Sequence, residues 1–137
     1  DKDMKQRKIV KRTERGYSGH LWCRDQCSFH RNTLLELGDL RVIVSTVGSF
    51  RPGYDKDIET IGLNRYYETE CFHAQWEDPY WEIDVSNEIY PDGLKWSIGR
   101  ISRETHKEAD EMHEAYVSAV IERMLNGEIA ERKNNDD

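Results

Sequence analysis

The sequence is short of the features that announce a function. It has only three cysteines in 137 residues. An odd count leaves no complete disulfide framework and points to a reducing compartment, the cytoplasm. Long hydrophobic runs are missing as well. No stretch approaches the ~20 apolar residues that span a bilayer as a helix, and the charged first residues lack the apolar core of a signal peptide. The expectation is therefore a protein with no membrane partner. There is no internal repeat and no low-complexity linker. There is also no G-x-G-x-x-G, P-loop, G-x-S-x-G or H-E-x-x-H, and "HRN" at 30–32 is too short to indicate a nuclease.

What is present is charge and aromatic surface. Charged residues make up 34% of the chain against 36% hydrophobic, and four Trp, seven Tyr and three Phe supply bulk for one core. The net charge of −7 is unevenly spread. Residues 1–15 hold seven Lys/Arg and three Asp/Glu, a net of +4, while the other 122 residues carry 13 Lys/Arg and 24 Asp/Glu, a net of −11. This divides the chain into a basic N-terminal arm (1–16), a folded domain (17–127) and a polar tail (128–137). Short charged termini are commonly solvated. A basic arm also suits nucleic acid, but phosphates repel the acidic body.

Hydrophobic alternation predicts strands first. "NTLLELGDLRVIVSTV" reads as a hairpin turning at Gly38-Asp39. "RYYETECFHAQW" and "WEIDVSNEI" read as a second hairpin around residues 77–80, and "LKWSIGRI" as a fifth strand. The ~15-residue connection between the hairpins is of a length often given to function. Its Asp55, Asp57 and Glu59 mimic a calcium loop, but Thr60 stands where glycine is needed and Tyr66 where a bidentate Glu is needed. The period then changes to helical over about Thr105–Asn126, with Thr105 and Glu108 spaced as a capping box, Gly127 as a C-terminal stop, and Ala109, Met112, Tyr116, Ala119, Val120, Met124 and Leu125 as the apolar stripe. The expected fold class is α+β: an antiparallel sheet of about five strands with the C-terminal helix on one face.

Two constellations carry chemistry. "HLWCRDQCSFH" places His20, Cys23, Cys27 and His30 within eleven residues. Those residue types suit zinc, yet in a helix they would spread over ~15 Å and in a strand over ~33 Å, too far for one ion with ligands at ~2.0–2.3 Å. A split site of Cys23, Cys27, Cys71 and His73 is the alternative to no cofactor at all. In the second hairpin, pairing Trp76 with Trp81 sets Ala74 opposite Ile83 and Phe72 opposite Val85 on a buried face. The other face then brings His73 to Asp84 beside Cys71, the makings of a thiol nucleophile, base and orienting carboxylate. The ordinary alternative is a solvated His–Asp pair.

The blocks "RNTLLELGD", "STVG" and "YYETECFHA", followed by the acidic helix "EADEMHEAYV", resemble small accessory proteins of tailed bacteriophages across roughly residues 30–125. The resemblance implies a small cytoplasmic protein made during infection, with a host protein as partner, and it assigns no site residues. With no catalytic motif and an acidic, aromatic-bearing body, the reading is a binding protein. It would be an inhibitor of a host defence or nucleic-acid-processing protein, with Tyr54, Asp55, Asp57, Glu59, Glu68 and Glu70 as contact residues. A small Cys-His-Asp enzyme and a zinc-stabilised nucleic-acid-binding module are the alternatives.

Overall fold

A computed structural model describes residues 8–16 and 19–133. The chain is α+β. Six strands form one antiparallel sheet: β1 (Lys11–Glu14), β2 (Cys27–Leu37), β3 (Leu40–Phe50), β4 (Tyr67–Glu77), β5 (Tyr80–Ile89) and β6 (Ser97–Ile98). The first five lie side by side in sequence order, and β6 pairs with β4 at Tyr67 and Glu68. One 3-10 turn (Arg24–Gln26) precedes β2, and the single α-helix among the described residues, α1 (Thr105–Leu125), closes the order.

β1 was not expected. Four residues of the predicted arm form this edge strand, with Arg12 facing Leu35 and Glu14 facing Thr33. Two arginines of the arm are engaged by the fold: Arg12 forms a two-pronged bond to Glu114, and Arg15, just after the strand, donates to Asn32 Oδ1 and to the Trp81 carbonyl. Residues 1–7 of the arm and 134–137 of the tail lie outside the described residues. Residues 128–133 of the tail are tied down, with Arg132 bonded to Asp84 and Gln75 and Lys133 to Asn87.

Strand alternation gives the sheet two apolar faces. Leu35, Val42, Val44 and Cys71 pack against Tyr116, Val117, Val120 and Met124 of α1. Each such side chain contributes roughly 1.5–3 kcal/mol when fully buried. His113 is also wholly buried on this face, where the helical stripe had been read as apolar only. Its nitrogens meet Thr33 Oγ1 and Thr46 Oγ1, each at 2.7 Å. The single proton on each hydroxyl orders the chain. Thr33 donates to Glu14, so His113 Nε2–H donates to Thr33, and Nδ1 accepts from Thr46. Burial therefore holds His113 neutral, with its pKa lowered to about 4. Ala119 is only partly covered and Leu125 is exposed, because the stripe drifts off the sheet towards the helix end.

The helix ends differ from expectation at one side. No side chain caps the N-terminus; Thr105 instead bonds Ser102 and Tyr67, and Glu108 turns to Arg100, so the capping box does not form. At the other end Gly127 takes a φ of 69°, its N–H reaching Met124 O while Glu128 N–H reaches Arg123 O. That is the Schellman pattern the glycine predicted.

Candidate functional site

The opposite face of the sheet carries polar chemistry. Pairing of β3 with β4 sets Ser45 against Glu70 and Val47 against Glu68, so Glu68, Glu70 and Phe72 point to the same side. Gly19 and His20 lie across this side as a strap. Arg15, just after β1, donates to Asn32 of β2 and to the Trp81 carbonyl of β5. A Cβ on Gly19 would lie 2.3 Å from Val47 Cγ1, so only glycine permits so close an approach. The next residue, His20, is thereby pressed into the face against Phe72, ring centroids 5.6 Å apart.

His20 becomes the hub. Its Nδ1 lies 2.8 Å from Ser45 Oγ, and its Nε2 lies 2.9 Å from Glu68 Oε1 and 3.7 Å from Glu70 Oε2. The His20 and Glu68 side chains are 1% and 2% exposed, whereas Glu70 is 25% exposed and forms the mouth. Arg65 Nε donates to Glu68 Oε2 at 2.8 Å, and its guanidinium stacks over Trp96 at 5.0 Å. Burial would raise Glu68, but the bonds from His20 and Arg65 outweigh it and hold its pKa down. Glu70 feels the charges of His20 and Arg65 but is given no hydrogen bond by either. Burial, with the charges of Glu68 and Glu88 adding, lifts it to about 7. Burial likewise raises Glu88, whose carboxylate accepts from Tyr90 Oη at 3.1 Å. Among the described residues, no Lys or Arg makes an ion pair with Glu70 or Glu88.

Glu70 and Glu88 open onto a cleft of about 450 Å³, walled by Thr69, Tyr90, Leu94, Trp96 and Tyr116. That is within the size range of ligand sites. The connectivity Ser45–His20–Glu68 matches a hydrolase triad in residue type only. Ser45 is 0% exposed on a central strand, so its hydroxyl cannot meet a substrate.

The Cys71–His73–Asp84 set does not form. The register holds at Trp76–Trp81 and Ala74–Ile83, then shifts, so that Phe72 pairs with Glu88 rather than Val85. Residues 84–87 are looped out opposite His73, leaving Val85 67% exposed. Asp84 turns away to Ser86 N, Asn87 Nδ2 and Arg132 Nε. Cys71 is completely buried beneath α1, and burial pushes its thiol pKa up, the reverse of what a nucleophile needs. Trp76, expected inside, is 54% exposed and stacks edge-on with Trp81 at the hairpin tip.

The split zinc set fails for the same topological reason. Cys23 and Cys27 share a cluster with Val47, Phe50 and Ile61, while Cys71 lies with Val42 and Val44 on the helix side of the sheet and His73 is the next residue of β4 on that side. Burial raises Cys27 to about 12, and its thiol points to the Cys23 carbonyl. His30 joins neither set; its Nε2 contacts the Arg24 carbonyl.

Of the expected contact residues, Tyr54, Asp55, Asp57 and Glu59 are exposed on the 51–66 connection, Tyr54 almost entirely. Glu70 sits at the cleft mouth. Glu68 is 1% exposed and is a structural anchor, not a contact residue. The alternation that put Glu68 and Glu70 on one face was legible. The arrival of His20, Arg65 and Glu88 beside them was not, because each comes from a different element.

No protein-family model, curated protein or solved structure matches this chain. No helix among the described residues is long and apolar enough to cross a membrane.

Proposed function

We propose that this chain is a binding protein whose acidic, aromatic-walled cleft receives an arginine side chain of a partner protein. The observation that carries this reading is the meeting of Glu70 and Glu88, two half-buried carboxylates with no Lys or Arg ion pair among the described residues, at a cleft walled by Tyr90 and Trp96. A planar guanidinium supplies the missing positive charge, a forked donor set for the two carboxylates and a face for the rings. Arg65 already makes this arrangement internally, bonded to Glu68 and stacked on Trp96. Tyr54, Asp55, Asp57 and Glu59 extend the acidic surface. The resemblance to phage accessory proteins makes the partner a host protein in the cytoplasm, whose basic nucleic-acid-binding surface an acidic body would occupy. The buried state of Cys71 speaks against the enzyme alternative. The engagement of Arg12 and Arg15 within the fold speaks against an arm free to bind nucleic acid.

The test is an NMR titration with an arginine-rich peptide, against a control in which every arginine is glutamine. The expected result is shifts confined to Glu70, Glu88, Tyr90 and Trp96, with affinity lowered at least tenfold in Glu88→Gln. Shifts scattered over the surface, or an unchanged affinity in that variant, would refute the reading.

A further inference from the structure

The strap and the sheet together build a second kind of site beside the cleft. His20 Nε2, Glu68 Oε1 and Glu70 Oε2 converge from two separate elements, with all three atoms within 4.8 Å of one another. From these we infer that His20, Glu68 and Glu70 form a binding site for a divalent first-row transition-metal ion, zinc or manganese.

The geometry argues it first. Ligand atoms ~2.1 Å from one ion stand ~3.0–3.5 Å apart in octahedral or tetrahedral arrangements. The two measured separations from His20 Nε2, 2.9 Å and 3.7 Å, bracket that range. The Glu68 and Glu70 oxygens stand within 4.8 Å of each other, so an ion entering between the three atoms draws the two carboxylates together.

Orientation argues it second. A ligating imidazole needs its other nitrogen held, so that the correct tautomer presents its lone pair. Ser45 Oγ stands at Nδ1 and accepts its proton once an ion replaces the Nε2–H that Glu68 now receives, and Arg65 holds the far oxygen of Glu68. Gly19 makes the approach possible at all, since any side chain there would collide with Val47. The partly exposed Glu70, which also lines the cleft, gives an ion its entry. Charge balance is the third argument: the two carboxylates of Glu68 and Glu70 with a neutral imidazole match the charge of a divalent ion. One nitrogen with two carboxylates favours zinc or manganese over magnesium, which prefers oxygen alone, and over copper(I), which prefers thiolates.

This inference goes beyond the arginine-cleft reading and shares one residue with it. Glu70 serves both, so the ion and the arginine each weaken the other's binding by the same factor.

The experiment is calorimetric titration of the chelator-treated full chain with zinc chloride, manganese chloride and magnesium chloride, repeated for His20→Gln, Glu70→Gln and Glu88→Gln. The expected result is one zinc or manganese ion per chain, affinity lowered at least tenfold in His20→Gln and Glu70→Gln, and little change in Glu88→Gln. Magnesium should bind at least tenfold more weakly. Proton NMR on zinc addition should shift the His20 ring ahead of the other histidines. If His20→Gln fails to fold, Glu70→Gln, at a partly exposed position, carries the test. Binding that survives Glu70→Gln, or a zinc-induced shift at another histidine first, overturns the inference. So does no binding of zinc or manganese at millimolar ion. Loss of arginine-peptide binding in Glu88→Gln with metal binding intact separates the two readings.

Discussion

Arg132 takes the carboxylate that strand alternation offers to His73: its Nε donates to Asp84 Oδ2 at 2.6 Å. Asp84 is almost fully buried and Arg132 half-exposed, so the tail following α1 is held against β5 by this bond together with the Arg132–Gln75 and Lys133–Asn87 contacts. Burial would raise Asp84, but the bonds from Arg132, Asn87 and Ser86 outweigh it and hold it below the usual carboxylate range. Arg132→Ala should cost about 1–3 kcal/mol, because it leaves a buried acceptor short of a donor. Urea melts at neutral pH check this, and the loss should shrink as pH falls through the depressed Asp84 pKa.

His73 should titrate below the ordinary histidine value, since burial lowers it more than Asp84 raises it. Removing that carboxylate in Asp84→Asn should lower it further. An NMR titration of both proteins decides it. A His73 titrating above ~6.5 would contradict the looped-out register.

Acid should weaken the fold through His113. Its folded pKa, about 4, lies below its unfolded value. The native state therefore binds fewer protons there than the unfolded chain, and stability falls as pH drops from about 6.5 to about 4. The full effect approaches about 3 kcal/mol. Glu70 works in the opposite direction. Its raised pKa means that stability is lost as pH rises from about 4.5 to about 7. Glu70→Gln, measured with chelator present, should thus be stabilising by about 1–2 kcal/mol at pH 8, allowing for partial solvent screening. That gain should vanish near pH 4, so the variant's stability should fall more steeply on acidification than the parent's.

Met112→Asp should destabilise by several kcal/mol, since Met112 is buried with Phe29, Tyr67, Ile98 and Ala109 and an aspartate there finds no partner. A large fall in melting temperature is the expected readout.

All three thiols should be slow to alkylate in the native protein and fast after denaturation, because Cys23, Cys27 and Cys71 are each buried. A fast-reacting native Cys71 would reopen the nucleophile reading.

The sequence by itself determined what depends on local pattern. Alternation in "DLRVIVSTV" placed Val42, Val44 and Thr46 opposite Ile43 and Val47, and both sets are buried as a central strand requires. The 3.6-residue period found α1, and Gly127 found its end. What depends on contacts between distant segments was decided only by the tertiary structure. β1 is four residues of mostly charged chain that become a strand because the β2 edge and the acids of α1 receive them. The loop at 84–87 could not be read from alternation, because a bulge breaks the period on which alternation rests. The strongest site shows the same division. Glu68 and Glu70 share a face by their spacing alone, but His20 reaches them across 48 residues of chain, a contact that no local pattern carries.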